Sequence, residues 1–479
     1  MDWQWVAMTR ETWATRLGFI LAAVGSAVGL GNIWRFPWQT AENGGSAFLV
    51  VYLGIVLLVG VPGLLGEFVI GRRAKKSPVG ALRDLSGSNK WGIVGAFSVV
   101  TGISLLSFYS VVGGWILRYL LESGAAVVGG SPAYFTNPGQ YFGGVSAGVD
   151  AALYHLLFLG LTALIVFAGV RKGIELGTKV MMPAVLVLLV GLAGWAATQP
   201  NAAAGYAFFL RFDPSVISEN FFAILGPAAG QALFTLSLGA GTMITYSSYL
   251  GEDRSLPFDG SAIAILNTAV GVITGLVVFP LLFSQGINPT ETGTGPGALF
   301  VGLAGAFSQL PAGTLIATAF FAVVTLAALS SSISMLEIPV AFLVDEYGVS
   351  RGRAVSGMTA FVAVTGTVCA FNPAVFGFVA GPLVNVLLTA GLAAFLLFVG
   401  WVMGREALEE FAAGAGDFGK SLGTPWLFAV GVVLPLFLVF TLLTHFGVDT
   451  TIGFWPTVAV AVVASAAAFF GLRQPDSVV

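Results

Sequence analysis

Charge is what this chain lacks most. Only 9% of its 479 residues are Asp, Glu, Lys or Arg, while 57% are hydrophobic. Soluble proteins carry about 25% charged residues, so a soluble globular chain is excluded. Cysteine is nearly absent: Cys369 stands alone, which rules out an intramolecular disulfide and a Cys-based metal site. Histidine is limited to His155 and His445. They fall on different segments and read as packing or helix-end residues rather than a metal pair. Without a His, Cys or Asp constellation there is no chemistry for an enzyme. No basic tract exists to hold nucleic acid. The start, Met1-Asp2-Trp3-Gln4-Trp5, has no basic segment leading into a short apolar core, so the first apolar run is expected to stay in the mature protein.

Long apolar runs fill the rest. About 20 apolar residues cross ~30 Å of hydrocarbon. Such runs occur near 18–40, 46–71, 92–121, 151–170, 178–198, 221–249, 260–284, 311–344, 354–371, 379–403, 424–445 and 453–472. This predicts an all-α integral membrane protein of about twelve spans, a single transmembrane domain over 1–479. Basic residues set the orientation. Of 20 Lys and Arg, all but Arg35, Arg118 and Arg211 fall on the side that also holds both termini. By the positive-inside rule that side is cytoplasmic.

Two spans break the pattern. The first contains Gly25-Ser26-Ala27-Val28-Gly29-Leu30-Gly31-Asn32-Ile33-Trp34-Arg35-Phe36-Pro37. Gly costs about 1 kcal/mol in a helix interior, and Arg in mid-bilayer at least roughly 2.5 kcal/mol. A segment with these costs is expected to unwind, which membranes tolerate only where backbone is buried in protein or lines a cavity. The sixth span carries a second interruption, Ser237-Leu238-Gly239-Ala240-Gly241. Five spans separate the two, so they enter the membrane from opposite sides. Paired breaks in two halves point to an inverted repeat with a midplane site: 18–199 and 221–403, with 424–472 as two peripheral helices. The other reading is close helix packing through small residues; the adjacent Asn32, Thr235 and Ser237 favour a site.

A broken helix offers N–H groups to a carboxylate and C=O groups to a cation or ammonium. An amino acid presents both charges. Hard cations want several oxygens, and span 8 supplies Ser330, Ser331, Ser332 and Ser334. Taken alone, those hydroxyls read as bonded back to their own helix.

The chain resembles the neurotransmitter:sodium symporter family, in its prokaryotic amino-acid transporter branch. The residues that carry the likeness are Trp13-Ala14-Thr15-Arg16-Leu17-Gly18, the Gly29–Pro37 run, Glu42-Asn43-Gly44-Gly45, the Phe234–Tyr249 run, and Ser330–Ser332 followed by Asp345-Glu346. The resemblance implies a sodium-coupled symporter of a neutral, apolar or aromatic amino acid, working by alternating access in the plasma membrane as monomer or homodimer. It implies two sodium sites. The first would use Ala27, Asn32, Thr235 and Asn267. The second would use Gly25, Val28, Ala327, Ser330 and Ser331, with Ser330 where the family more often has Thr. The substrate would meet Leu30, Gly31 and Tyr109 with its carboxylate. Its amino group would meet Ala27, Phe234, Thr235 and Ser237, and its side chain Leu105, Phe234, Ala240 and Met335. Gly29, where monoamine carriers have Asp, favours an amino acid by leaving room for its carboxylate.

Gates would be Arg10 with Asp345 and Tyr249 inside, and Arg35 outside. The usual acidic partner of Arg35 is missing, with Ala380 in its place, which leaves Arg35 solvated or paired with Glu42 or another outer-loop group. Tyr52, Gln231, Thr235 and Asn267 would hold a chloride ion. Glu67 would hydrogen-bond the span 6 break, or else snorkel beside Arg72 and Arg73. Glu337 has no assigned role. A proton-coupled or monoamine carrier of the same fold is the rival reading. A channel would need a continuous polar lining or charged ring, and none is present.

Overall fold

A computed structural model describes residues 12–251, 254–289 and 297–445. Those residues are helical, joined by short loops. Nine helices are long and apolar enough to cross a membrane: Ser46–Ala74, Asn89–Gly129, Val149–Phe167, Val170–Ala196, Leu256–Ser284, Gly313–Tyr347, Arg351–Phe371, Pro373–Met403 and Gly419–Leu443. A tenth span is the pair Arg16–Ala27 and Gly31–Glu42, bent by 45° at its break. Pro214–Thr235 and Thr242–Ser247 form a second interrupted helix. Eleven of the expected spans are thus accounted for. The twelfth, 453–472, lies outside the described residues, as does Arg10.

Several spans are longer than hydropathy alone marks. The third runs 41 residues, about 60 Å at 1.5 Å per residue, and so projects well beyond a bilayer core. Its apolar run, 92–121, ends before its helix does, at Glu122, which pairs with Arg118 at 3.0 Å.

The two broken helices lie against each other, antiparallel. Ser237 Oγ donates to the Ser26 carbonyl at 3.2 Å, and Gln231 Nε2 donates to the Gly31 carbonyl at 2.7 Å. Residue numbers rise along one helix as they fall along the other. At the first break, Val28 is extended (φ −79°, ψ 103°) and the chain re-enters as a wide turn in which the Phe36 amide reaches back five residues to Gly31. Such wide turns are common at functional sites. At the second break, Ser237, Gly239 and Gly241 all have positive φ, of 54°, 82° and 73°. A Cβ on Gly239 would lie 1.8 Å from the Leu388 carbonyl oxygen, so only glycine fits.

Glu67, fully buried on span 2, accepts from the Gly239 amide at 2.6 Å. It therefore caps the break and does not snorkel; Arg72 instead binds Glu410 and the Arg254 carbonyl.

The end of the molecule that holds Trp13 is closed. Trp13 is buried between Tyr246 and Tyr249, donating Nε1 to the Tyr246 carbonyl at 2.9 Å. Glu175 clamps the next two residues, accepting from the Ala14 amide at 2.7 Å and the Thr15 hydroxyl at 2.9 Å. Arg16 pairs with buried Asp259 at 2.6 Å.

Glu67→Ala leaves a buried N–H unsatisfied and is expected to cost about 1–3 kcal/mol. Glu67→Gln, which keeps an acceptor, should cost less. Thermal melts of the purified variants check the ranking; the reverse order contradicts the capping role.

Candidate functional site

Two groups of oxygens converge on the break of span 1. On one side stand Asn32, Thr235 and Asn267, each buried. Thr235 Oγ1 donates to Asn32 Oδ1 at 2.9 Å and lies 3.2 Å from Asn267 Oδ1. Asn32 Nδ2 donates to the Asn267 carbonyl at 2.8 Å and to its Oδ1 at 3.0 Å. Three helices thus bring two amide oxygens and a hydroxyl together.

On the other side, span 8 meets the end of Arg16–Ala27. Ser331 Oγ lies 3.2 Å from the Gly25 carbonyl oxygen and 3.3 Å from that of Val28. Ser330 Oγ lies 3.4 Å from the Val28 oxygen and 2.8 Å from that of Ala327. The five oxygens expected to act together do adjoin one another. Ser330 at Ala327, Ser332 at Leu329 and Ser334 at Ser331 make the local back-bonds that the serines alone would predict; the other contacts of Ser330 and Ser331 cross to span 1. Ser332 turns away, toward Thr162 at 2.7 Å, while Ser334 accepts from the Ser26 hydroxyl of span 1 at 2.8 Å.

Neither oxygen group contains a carboxylate. Among the described residues, no cluster of three His, Cys, Asp or Glu could hold a metal. Neutral oxygens in a buried site suit a hard monovalent cation better than a divalent or thiophilic one, since little negative charge is available to offset a double charge.

Tyr109, buried on span 3, accepts from the Leu30 amide at 3.1 Å. Leu105 lies one turn before it, and Met335 one turn past Ser331; both are buried, as is Ala240 beside Gly239. Gly29 has a different role from the one expected. A Cβ there would sit 2.2 Å from Ser331 Oγ and 2.5 Å from the Tyr109 hydroxyl. The space beside Gly29 is filled by the protein's own hydroxyls, so the glycine brings span 1 against spans 3 and 8 rather than leaving room for a ligand.

Beyond the break, on the side away from Trp13, opens a cavity of about 720 Å³. Its floor is Phe234, with the Arg35 guanidinium 4.8 Å above the ring centroid. Ala380 lines it. Glu42 is exposed, and none of the ion pairs among the described residues links it to Arg35.

Two buried polar atoms near Asn32 lack hydrogen-bond partners, Gln231 Oε1 and Asn267 Nδ2, and the Tyr52 hydroxyl faces Thr235 and Thr268. Of the residues expected around an anion, Asn267 has a donor to spare, Tyr52 faces Thr235 and Thr268, and Gln231 Nε2 is engaged with Gly31.

Glu337 proves to be a hub. Tyr249 donates to it at 2.8 Å, and Arg351 binds it with two nitrogens, at 3.0 and 2.6 Å. Asp345 accepts from the Ser77 amide at 2.7 Å. Arg351, the first charged residue after the span 8 helix turns back, was the available signal for the Glu337 partner.

A family model described as the sodium:neurotransmitter symporter family matches residues 10–128 and 145–405. The chain belongs to this family. It is 34% identical over 451 residues to YhdH, a sodium-dependent transporter of Bacillus subtilis, covering 91% of this chain and 98% of that one. It is 28% identical over 303 residues to a sodium-dependent neutral amino acid transporter of Homo sapiens, covering 58% and 41%. The crystal structure of MhsT in complex with L-phenylalanine matches with a TM-score of 0.80 and 37% identity, covering 91% of this chain and all 100% of that one. The symporter is therefore a sodium-dependent, multi-pass membrane transporter and not an enzyme.

Gly29→Ala forces a Cβ against two hydroxyls, whereas a Cβ on Gly25 would meet its nearest atom at 3.2 Å. Gly29→Ala should abolish sodium-dependent stabilisation of the purified symporter and Gly25→Ala should only weaken it. Melting curves at several sodium concentrations distinguish them; equal losses contradict the packing role.

Proposed function

We propose that the symporter moves a neutral amino acid together with two sodium ions, by alternating access around the paired breaks. The convergence of two neutral oxygen groups on one unwound segment carries this reading. Asn32, Thr235, Asn267 and the Ala27 carbonyl would bind the first sodium, completed by the substrate carboxylate. The Gly25, Val28 and Ala327 carbonyls with Ser330 and Ser331 would bind the second. Each hydroxyl that now bridges two carbonyls would turn its lone pairs to the ion.

The substrate carboxylate would meet Tyr109 and the amides of Leu30 and Gly31. Its ammonium would face Ser237 and the carbonyls of Ala27, Phe234 and Thr235. Leu105, Phe234, Ala240 and Met335 are apolar, which favours an apolar or aromatic side chain. The phenylalanine bound by MhsT supports the same choice. Because the carboxylate ligates the first ion, sodium and substrate raise each other's affinity.

The closed Trp13 end would be cytoplasmic, by the charge asymmetry, in the plasma membrane. The cavity above Phe234 would then face outward, and the two inverted halves 18–199 and 221–403 would rock about the breaks. Tyr52 and Asn267 would offer donors to a chloride ion beside the first sodium, which adds the negative charge that site lacks.

Uptake of the twenty amino acids into proteoliposomes under an imposed sodium gradient tests the reading. At least one neutral amino acid should accumulate only with sodium outside; none doing so contradicts it. Asn32→Ala and Ser331→Ala should each weaken sodium activation by roughly 10–100-fold, the range for losing a ligand to a charged group (about 1.5–3 kcal/mol). Uptake should also fall when gluconate replaces chloride at fixed sodium; unchanged uptake removes the anion from the account.

A further inference from the structure

His155 is fully buried on span 4, where the sequence alone reads it as packing. Its two ring nitrogens reach two other spans. Nδ1 lies 2.8 Å from the Ser110 hydroxyl oxygen on span 3, and Nε2 lies 3.3 Å from the Ala363 carbonyl oxygen on span 9. A carbonyl only accepts, so Nε2 carries the ring proton and Nδ1 accepts from Ser110. Ser110 also bonds back to the Leu106 carbonyl at 2.6 Å, as Thr101, Ser107 and Ser123 do to carbonyls on the same helix. Glycines let the three helices close on the ring. A Cβ on Gly366 would lie 2.3 Å from His155 Cε1, and one on Gly114 would lie 2.6 Å from the His155 amide nitrogen. Packing alone would be served by a Leu or Phe. An imidazole costs free energy to bury unless its nitrogens are bonded, and here both are.

The ring grips the turn of span 3 that carries Tyr109. Consecutive residues of a helix point about 100° apart, so fixing Ser110 fixes the direction of the residue before it. Tyr109 is the residue whose hydroxyl accepts from the Leu30 amide at 3.1 Å. We infer that His155 is a positioning residue: through Ser110 it sets the rotation of span 3 and so holds the Tyr109 hydroxyl at the span 1 break, on the Leu30 amide and on the substrate carboxylate. The carboxylate half rests on the proposed binding mode. The amide half rests on the hydrogen bonds alone.

Isosteres separate the two nitrogens. His155→Asn keeps an acceptor where Nδ1 stands, and His155→Gln keeps a donor where Nε2 stands. Hydrogen–deuterium exchange of the Leu30 amide, read by mass spectrometry on the purified full-length protein without amino acid, tests the amide half. Exchange should quicken roughly tenfold in Tyr109→Phe and in His155→Gln, the loss of one hydrogen bond. His155→Asn should exchange at the unaltered rate. The double variant Tyr109→Phe with His155→Gln should be no faster than Tyr109→Phe alone, because both act through one contact. Equal effects of Asn and Gln, multiplied effects in the double variant, or faster exchange spread along spans 4 and 9 would each mark a merely structural role and overturn the inference. Titration with L-phenylalanine in sodium tests the carboxylate half. Affinity should fall roughly tenfold in His155→Gln and hold in His155→Asn; an unchanged affinity in His155→Gln overturns that half. Phenylalanine failing to bind the unaltered protein counts against the transport reading, and the exchange rates still decide the role of His155.

Discussion

Backbone that leaves a helix inside a bilayer must find its hydrogen bonds in the protein, because lipid offers none. That requirement organises this molecule. Two helices give up their regular bonding at the same depth, and each supplies part of what the other needs. Gln231 takes the Gly31 carbonyl, Ser237 takes the Ser26 carbonyl, and Glu67 takes the Gly239 amide. Tyr109 holds the Leu30 amide from span 3. Besides the two broken helices themselves, the partners come from spans 2 and 3, so the broken segments are stable only as long as those spans stay packed around them. The carbonyls of Gly25 and Val28 are met by two serine hydroxyls of span 8.

The same constraint explains the glycines that matter. Gly239 has positive φ and a carbonyl pressed against it; Gly29 brings three helices to hydroxyl contact. Closure at the opposite end has a separate physical basis. Trp13 is a large ring wedged between two tyrosines, and Glu175 secures the strand of chain beside it. These contacts join the N-terminal segment to spans 5 and 6, so opening that end means withdrawing an aromatic side chain and breaking a charged clamp together. The Glu337–Arg351 pair and the Tyr249 hydroxyl lie alongside.

Much of the site was legible in the sequence because membranes penalise irregularity. Gly, Asn and Arg inside an apolar run mark an unwound segment, and a buried acid such as Glu67 marks a need for an acceptor. The oxygens of Asn32, Thr235 and Asn267 adjoin as the family resemblance implied. What could not be read was how far helices extend past the apolar run, since hydropathy ends at the lipid boundary and helix does not. Side-chain direction was hidden too. Four serines in five positions look alike in sequence, yet Ser330 and Ser331 face span 1 while Ser332 faces Thr162. Gly29 was misread for the same reason: its role depends on Ser331 and Tyr109, far away in the chain.

The central claim is that the unwound segment binds sodium and an amino acid as one unit. Linked binding is its most direct measure. The affinity of the purified symporter for its amino acid is titrated at low and saturating sodium, and its sodium affinity with and without that amino acid. The account predicts that both affinities rise, by the same factor, and that Asn32→Ala reduces both factors together. Two affinities that do not change with the other ligand would contradict it.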